Sequence, residues 1–373
     1  MPHLTDVQKL GQSIWLDFIQ RRLITSSELA QLVSEGLRGI TSNPTIFHNA
    51  IAQSNDYDGA IRSLLKLNPN ADANAVYERL AVEDIRMAAD ILRPVYDASG
   101  GLDGLISLEV SPYLAGDTGA TIVEARRLWQ LVDRPNLMIK VPSTAPGIPA
   151  IETLIAEGIN INITLLFSLK HYEAVSHAYI RGVARNSNPE RLTSVASFFV
   201  SRVDTRVDQE LERIGTGEAR ALRGKAAIAN SKVAYRRFRE IFFGDEFAAQ
   251  RQRGARIQRV LWGSTGTKNP AYSDVLYAEG LMGADTINTL PLETIDRLRN
   301  HGKVHPTLQE GTGEAERVLS DLTKTGVNLD AVTEQMQKDG VKAFVDSFDK
   351  LLDALEEKRK ELLAAGDSYV PDH

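Results

Sequence analysis

Eight short apolar segments, separated by amphipathic stretches, recur along the chain, and this alternation limits the possible folds more than any other feature. Candidate strands lie at 13–18, 38–43, 105–110, 137–142, 159–165, 193–200, 259–264 and 286–290. Between them, residues 27–35, 121–132, 149–157 and 272–282 carry apolar side chains at helical spacing. Strand–helix alternation predicts a parallel sheet, because parallel neighbours need a long crossover. Eight repeats within 373 residues favour an α/β fold of the closed (β/α)8 type, a TIM barrel with extra helices, over an open doubly wound sheet. No G-x-G-x-x-G follows the first strand, which argues against dinucleotide binding.

Three regions exceed a minimal barrel. Residues 44–104 read as several helices. Residues 204–258 read as a helical insertion rich in Arg and Lys, and 291–373 as a helical extension. Within 341–363, Phe344, Phe348, Leu351, Leu352 and Leu355 form one apolar stripe, so that helix is expected to pack on something. No low-complexity linker interrupts the chain, and 307–313 is the one loose stretch. Residues 1–373 are therefore expected to form a single barrel domain.

Composition removes several function classes. The absence of cysteine excludes disulfides, thiolate zinc sites and a cysteine nucleophile, and it fits a reducing compartment. A net charge of -6 gives no global reason to expect nucleic acid. In the insertion, Lys232, Arg236, Arg237 and Arg239 alternate with apolar residues, which predicts a solvated helix face. The first residues lack the apolar core of a signal peptide, and no apolar run approaches the roughly 20 residues that cross a bilayer. A cytoplasmic location without membrane partners is expected. The seven histidines have no metal-ligand spacing, so no metal is expected. Trp15, Trp129 and Trp262 read as core or pocket wall.

Strand parity locates the chemistry. In 137–141, Leu137, Ile139 and Val141 share the face that packs on outer helices, so Lys140 points into the barrel. An ammonium there loses hydration, which favours the neutral amine. Asp17 shares the inward face with Trp15, Glu109 with Ser107, and Asn162 with Thr164; Ser197 pairs with Phe199, and Asn43 closes the second strand. Six strands thus place a polar side chain late, on the side that Lys140 uses. Active sites of such barrels lie at that C-terminal face. Six converging polar groups are hard to explain as core packing, since each needs a partner.

The set names a reaction class. A neutral amine attacks a carbonyl to form a Schiff base, an electron sink. A carboxylate pair moves protons to and from hydroxyls, and Asn, Thr and Ser bind a polyol. This is retro-aldol chemistry on a ketose. Phosphate recognition falls to Arg202, just past the sixth strand, and to the run Gly263-Ser264-Thr265-Gly266-Thr267-Lys268 after the seventh. Its spacing is not that of a P-loop.

Four segments resemble those of the transaldolases. They are Gly39-Ile40-Thr41-Ser42-Asn43-Pro44-Thr45, the stretch 137–144 around Lys140, 157–168 around Asn162 and Thr164, and Ser197-Phe198-Phe199-Val200-Ser201-Arg202. The resemblance implies a (β/α)8 barrel with the Schiff-base lysine on the fourth strand, where counting puts Lys140. It implies transfer of a dihydroxyacetone unit from fructose 6-phosphate or sedoheptulose 7-phosphate to an aldose phosphate, with no metal or organic cofactor. By position it implies Asp17 as acid/base at the C4 hydroxyl, with Glu109 and Thr164 holding the water of imine chemistry. Asn43, Asn162 and Ser197 are implied to grip the dihydroxyacetone hydroxyls, Phe199 to line the site, and Arg202 to bind phosphate. Many transaldolases read Ser-Phe-Arg-Asn after the seventh strand. Here the run is two residues longer between Ser264 and Asn269, and Lys268 stands where an arginine is expected. Residues 204–258 and the C-terminal tail resemble a longer bacterial branch of the family.

Two other readings use the same residues. A Schiff-base aldolase releasing dihydroxyacetone to water needs the same lysine. A sugar-phosphate-binding barrel needs the same pocket without covalent chemistry.

Overall fold

A computed structural model describes residues 4–52 and 54–367. Eight parallel strands close into a barrel in chain order. They are β1 (Gln12–Leu16), β2 (Gly39–Ile40), β3 (Leu105–Glu109), β4 (Leu137–Pro142), β5 (Ile161–Leu166), β6 (Ser194–Phe199), β7 (Arg259–Gly263) and β8 (Thr286–Leu290). β8 closes on β1 in parallel, from Gln12 opposite Thr286 to Leu16 opposite Leu290.

Strand parity divides the interior into two levels. Trp15, Leu105, Met138, Val195, Leu261 and Ile287 form a separate apolar cluster inside the barrel. Two positions further along the same strands stand Asp17, Ser107, Lys140, Ser197, Gly263 and Thr289, nearly all polar or small. A period of two carries each strand from the lower layer to the upper one. Leu137, Ile139 and Val141 face the outer helices, within the main core. Gly39 is required by this packing: a Cβ there would lie 2.5 Å from the Trp15 ring.

β2 is shorter than the stretch 38–43 expected from hydropathy. Thr41 still donates its N–H to the Leu16 carbonyl at 2.9 Å, but Pro44 lacks a donor and starts the helix Pro44–Ala52. Asn43 therefore does not close a strand. It caps this helix, its Oδ1 accepting from the Ile46 N–H at 3.0 Å. The expected helix at 272–282 shrinks to Leu276–Gly280, because Pro270 and the turns beside it break the pattern.

Residues 44–104 form the helices Pro44–Ala52, Asp58–Leu67 and Ala73–Ala98. Residues 204–258 carry most of Ser201–Ile214, then Gly217–Ala221, Ala226–Phe243 and Ala248–Gln252. Their basic residues are matched locally: Arg236 pairs with Glu316, Arg237 with Glu173 at 2.7 Å, and Arg239 with Asp285 at 2.9 Å. Lys232 donates to the Glu310 carbonyl at 2.7 Å. Such partly exposed pairs fit a hydrated helix face.

The helix Leu329–Asp367 crosses the C-terminal end of the strands, against the three helices of 44–104 and the end of β5. Its apolar stripe does the packing. Phe344, Phe348, Leu351 and Leu355 are buried, and Phe348 stacks edge-on against Tyr77 and Tyr113. Polar contacts fix its position. Thr45 donates to Ser347 at 2.9 Å, Tyr113 to Asp349, and Lys358 to Asp58 at 2.6 Å.

Candidate active site

Lys140 occupies the centre of the C-terminal end. It pairs directly with Glu109 on β3 and Asn162 on β5 across the ladders. Only 4% of it is exposed. Its Nζ donates to the Ser42 carbonyl at 3.1 Å and lies 3.4 Å from Glu109 Oε2. The Phe344 ring, from the C-terminal helix, lies 6.0 Å from Nζ. The amine thus sits between one carboxyl, one carbonyl and an aromatic face.

A cavity of about 220 Å³ opens above it. Asp17, Asn43, Lys140, Ser197, Phe199, Arg202 and Lys268 all line it, together with Gly263, Gly266 and Thr289. The remaining expected residues lie behind this wall. Asn162 is fully buried; it donates to Ser107 Oγ at 2.9 Å and accepts from Ser197 Oγ at 2.6 Å. This chain fixes the Asn162 amide and commits the Ser197 hydroxyl hydrogen. Thr164 Oγ1 is buried without a hydrogen-bond partner among the described residues, and the buried Glu109 Oε2 has only the longer ion-pair contact with Lys140. Buried polar groups are rarely left so poorly paired, which marks both as functional candidates. After Thr164 the ladder slips between Ile163 and Leu166, and Leu165 takes a positive φ of 62°. A bulky residue there is strained. Gln337 of the C-terminal helix donates to the Leu165 carbonyl at 3.2 Å and to Ser143 Oγ at 2.9 Å, bracing the slip.

Asp17 follows β1 and accepts a hydrogen bond from Thr41 Oγ1 at 2.7 Å. Burial pushes its carboxyl above the ordinary range, opposed by Lys140, Thr41, Arg202 and Lys268. Burial raises Glu109 likewise, against the pull of Lys140 and Arg202. Both are therefore poised to hold a proton as well as to release it.

Arg202 is the second residue of the helix Ser201–Ile214 after β6, its guanidinium 5.0 Å from the Phe199 ring centroid. Asp204 is not its partner: that carboxyl accepts from the Tyr277 hydroxyl at 2.9 Å and the Ala227 N–H at 2.7 Å. Among the described residues neither Arg202 nor Lys268 has an ion-pair partner, and both also line an adjoining cleft beside the C-terminal helix. Two unpaired cations on one rim suit an anion.

Sequence reasoning missed the residues that orient this set. Thr41 and Ser42 lie inside the 39–45 motif, so a signal existed, but their contacts with Asp17 and Lys140 cross between strands. Phe344 was visible only as part of an apolar stripe, and Gln337 carried no signal at all. Among the described residues, no group of three or more His, Cys, Asp or Glu could hold a metal, and no helix is long and apolar enough to cross a membrane.

Fold and site together define a barrel enzyme with a buried lysine late on its fourth strand, one carboxyl beside it, a second in the same cavity, and a basic rim. Residues 14–355 match the Transaldolase/Fructose-6-phosphate aldolase family, and the chain belongs to it. It is 50% identical over 352 residues to a Transaldolase of Thiobacillus denitrificans, covering 93% of this chain and 98% of that one. It is 45% identical over 356 residues to a Transaldolase of Thermobifida fusca, covering 94% and 96%. With Transaldolase 2 of a Nostoc species it shares 44% identity over 376 residues, covering 96% and 98%.

Proposed function

We propose that this chain is a transaldolase of the pentose phosphate pathway, acting as a single domain in the cytoplasm. It takes a dihydroxyacetone unit from sedoheptulose 7-phosphate or fructose 6-phosphate. It passes the unit to glyceraldehyde 3-phosphate or erythrose 4-phosphate. The observation that carries this reading is the buried Lys140 amine, 3.4 Å from Glu109, in a cavity shared with Asp17 and rimmed by Arg202 and Lys268. Lys140 adds to the C2 carbonyl, and the carbinolamine loses water to give the protonated imine. Glu109 and Thr164 handle that water; the orphaned Thr164 hydroxyl and the Glu109 carboxyl beside the amine support this role. Asp17 takes the C4 hydroxyl proton as the C3–C4 bond breaks, and returns it in the reverse addition. Asn43, Asn162 and Ser197 hold the three-carbon unit, Phe199 lines it, and Arg202 and Lys268 take the phosphate. No metal or organic cofactor enters this scheme.

Fructose 6-phosphate followed by borohydride should leave one reduced three-carbon unit on the peptide that contains Lys140. Lys140→Arg should give none, because a guanidinium stays protonated. An adduct on another lysine, or none on the native chain, overturns the reading. The family also includes fructose-6-phosphate aldolases. Product analysis with and without erythrose 4-phosphate separates transfer from release of free dihydroxyacetone.

A further inference from the structure

Glu109 faces two spaces. Its Oε2 lies 3.4 Å from Lys140 Nζ, on the barrel side. The same residue lines a second cavity, of about 260 Å³, between the helices Ala73–Ala98 and Thr118–Val132 and the end of β3. Tyr77, Glu78, Leu108, Glu124 and Arg127 line this second cavity too. The sugar-side cavity shares none of them. A space of this size has room for several waters at about 30 Å³ each. Its outer edge is charged and partly exposed: Arg127 pairs with Glu78 and, at 2.8 Å, with Glu124.

Imine formation releases one water and imine hydrolysis consumes one. A sugar phosphate that fills the mouth, with its phosphate at Arg202 and Lys268, closes that way for water. We propose that the cavity behind Glu109 is a separate water passage to the imine carbon, and that Tyr77, which lines it with Glu109, is the positioning residue that holds the water there. The proposal rests on Glu109 serving the imine step. The Tyr77 ring is held edge-on by Phe47, at 5.8 Å, and by Phe348, at 5.2 Å, so its hydroxyl has a fixed direction. Burial, and after it the charge of Glu109, keeps that phenol protonated and hence a donor. Phe348 belongs to the C-terminal helix, which ties the passage to the element over the mouth.

The test uses fructose 6-phosphate labelled with ¹⁸O at C2, the full-length chain, and two variants. Tyr77→Phe keeps the ring packing and removes the hydroxyl. Asn74→Trp fills the cavity from an exposed position that also lines it. Thermal scans confirm that each variant folds. Each should slow loss of the C2 label, and the appearance of the borohydride-trapped adduct, by about tenfold or more, the scale of a misplaced catalytic group. Single-turnover release of glyceraldehyde 3-phosphate from imine already formed should be unchanged. Native rates of label loss in both variants, or equal slowing of imine formation and cleavage, overturn the proposal. If the native chain neither loses label nor forms an adduct at Lys140, the parent reading fails instead.

Discussion

Replacing Phe344 with alanine tests what the C-terminal helix does for the site. The ring is 3% exposed and lies 6.0 Å from the Lys140 amine. Burying and then deleting an aromatic side chain costs about 3–5 kcal/mol where the cavity cannot collapse. One side of this ring faces the Lys140 amine at the end of the barrel, where neighbours can relax, so the low end applies, about 3 kcal/mol. Unfolding entropy of about 2.1 cal/mol/K per residue gives roughly 0.8 kcal/mol/K for a chain of 373 residues. The melting temperature should then fall by about 4 °C. The change should also admit water beside the imine. Free dihydroxyacetone should rise relative to transfer product, measured with fructose 6-phosphate and limiting erythrose 4-phosphate. Phe344→Leu, which keeps an apolar cover, should restore most of both. A melting temperature within 1 °C of native, about a quarter of the worked shift, refutes the burial argument. A full loss of stability with an unchanged product ratio shows that the helix only packs, and refutes the shielding argument.

Arg202→Ala should raise KM for phosphorylated ketoses by about 10–150-fold, from the ~1.5–3 kcal/mol usual for a charge-assisted hydrogen bond. KM for unphosphorylated fructose should barely move, and Lys268→Ala should show a smaller effect of the same kind; equal effects on both sugars would make these residues structural. Asp17→Ala should lower transfer by about 10²–10⁴-fold while imine formation continues, so borohydride should trap a six-carbon adduct at Lys140. A three-carbon adduct at native rate moves the cleavage role to Glu109. Asp17→Asn tests linkage. Folding raises the Asp17 pKa above 3.8, so the folded state keeps a proton that the unfolded state has lost, and stability falls as pH rises through that window. The variant lacks this penalty. Its melting temperature should exceed the native value at pH 8, and the gap should close below pH 3.8, as thermal scans at several pH values can show. A gap independent of pH contradicts the assignment.

Much of the barrel was legible in the sequence because its signals are local. Apolar runs of strand length give eight strands, and parity alone turns Lys140, Asp17 and Glu109 inward, since the direction of a strand side chain depends on its neighbours only. Parity also put polar groups at one end: the same period that buries Trp15 and Met138 below raises Asp17 and Lys140 above. Local signals failed where a distant contact decided the outcome. Hydropathy extended β2 to Asn43, whereas Pro44 and the helix after it turned that residue into a cap. The β5 slip at Leu165 was invisible because its strain is offset by Gln337, 172 residues away in sequence. The apolar stripe of the last helix announced burial but not its partner. Only the closed barrel sets Phe344 over Lys140 and Phe348 against Tyr77, because helix docking depends on the shape and polarity of surfaces assembled from many segments. The raised carboxyls are likewise tertiary, since desolvation is a property of everything packed around a group and not of its neighbours along the chain.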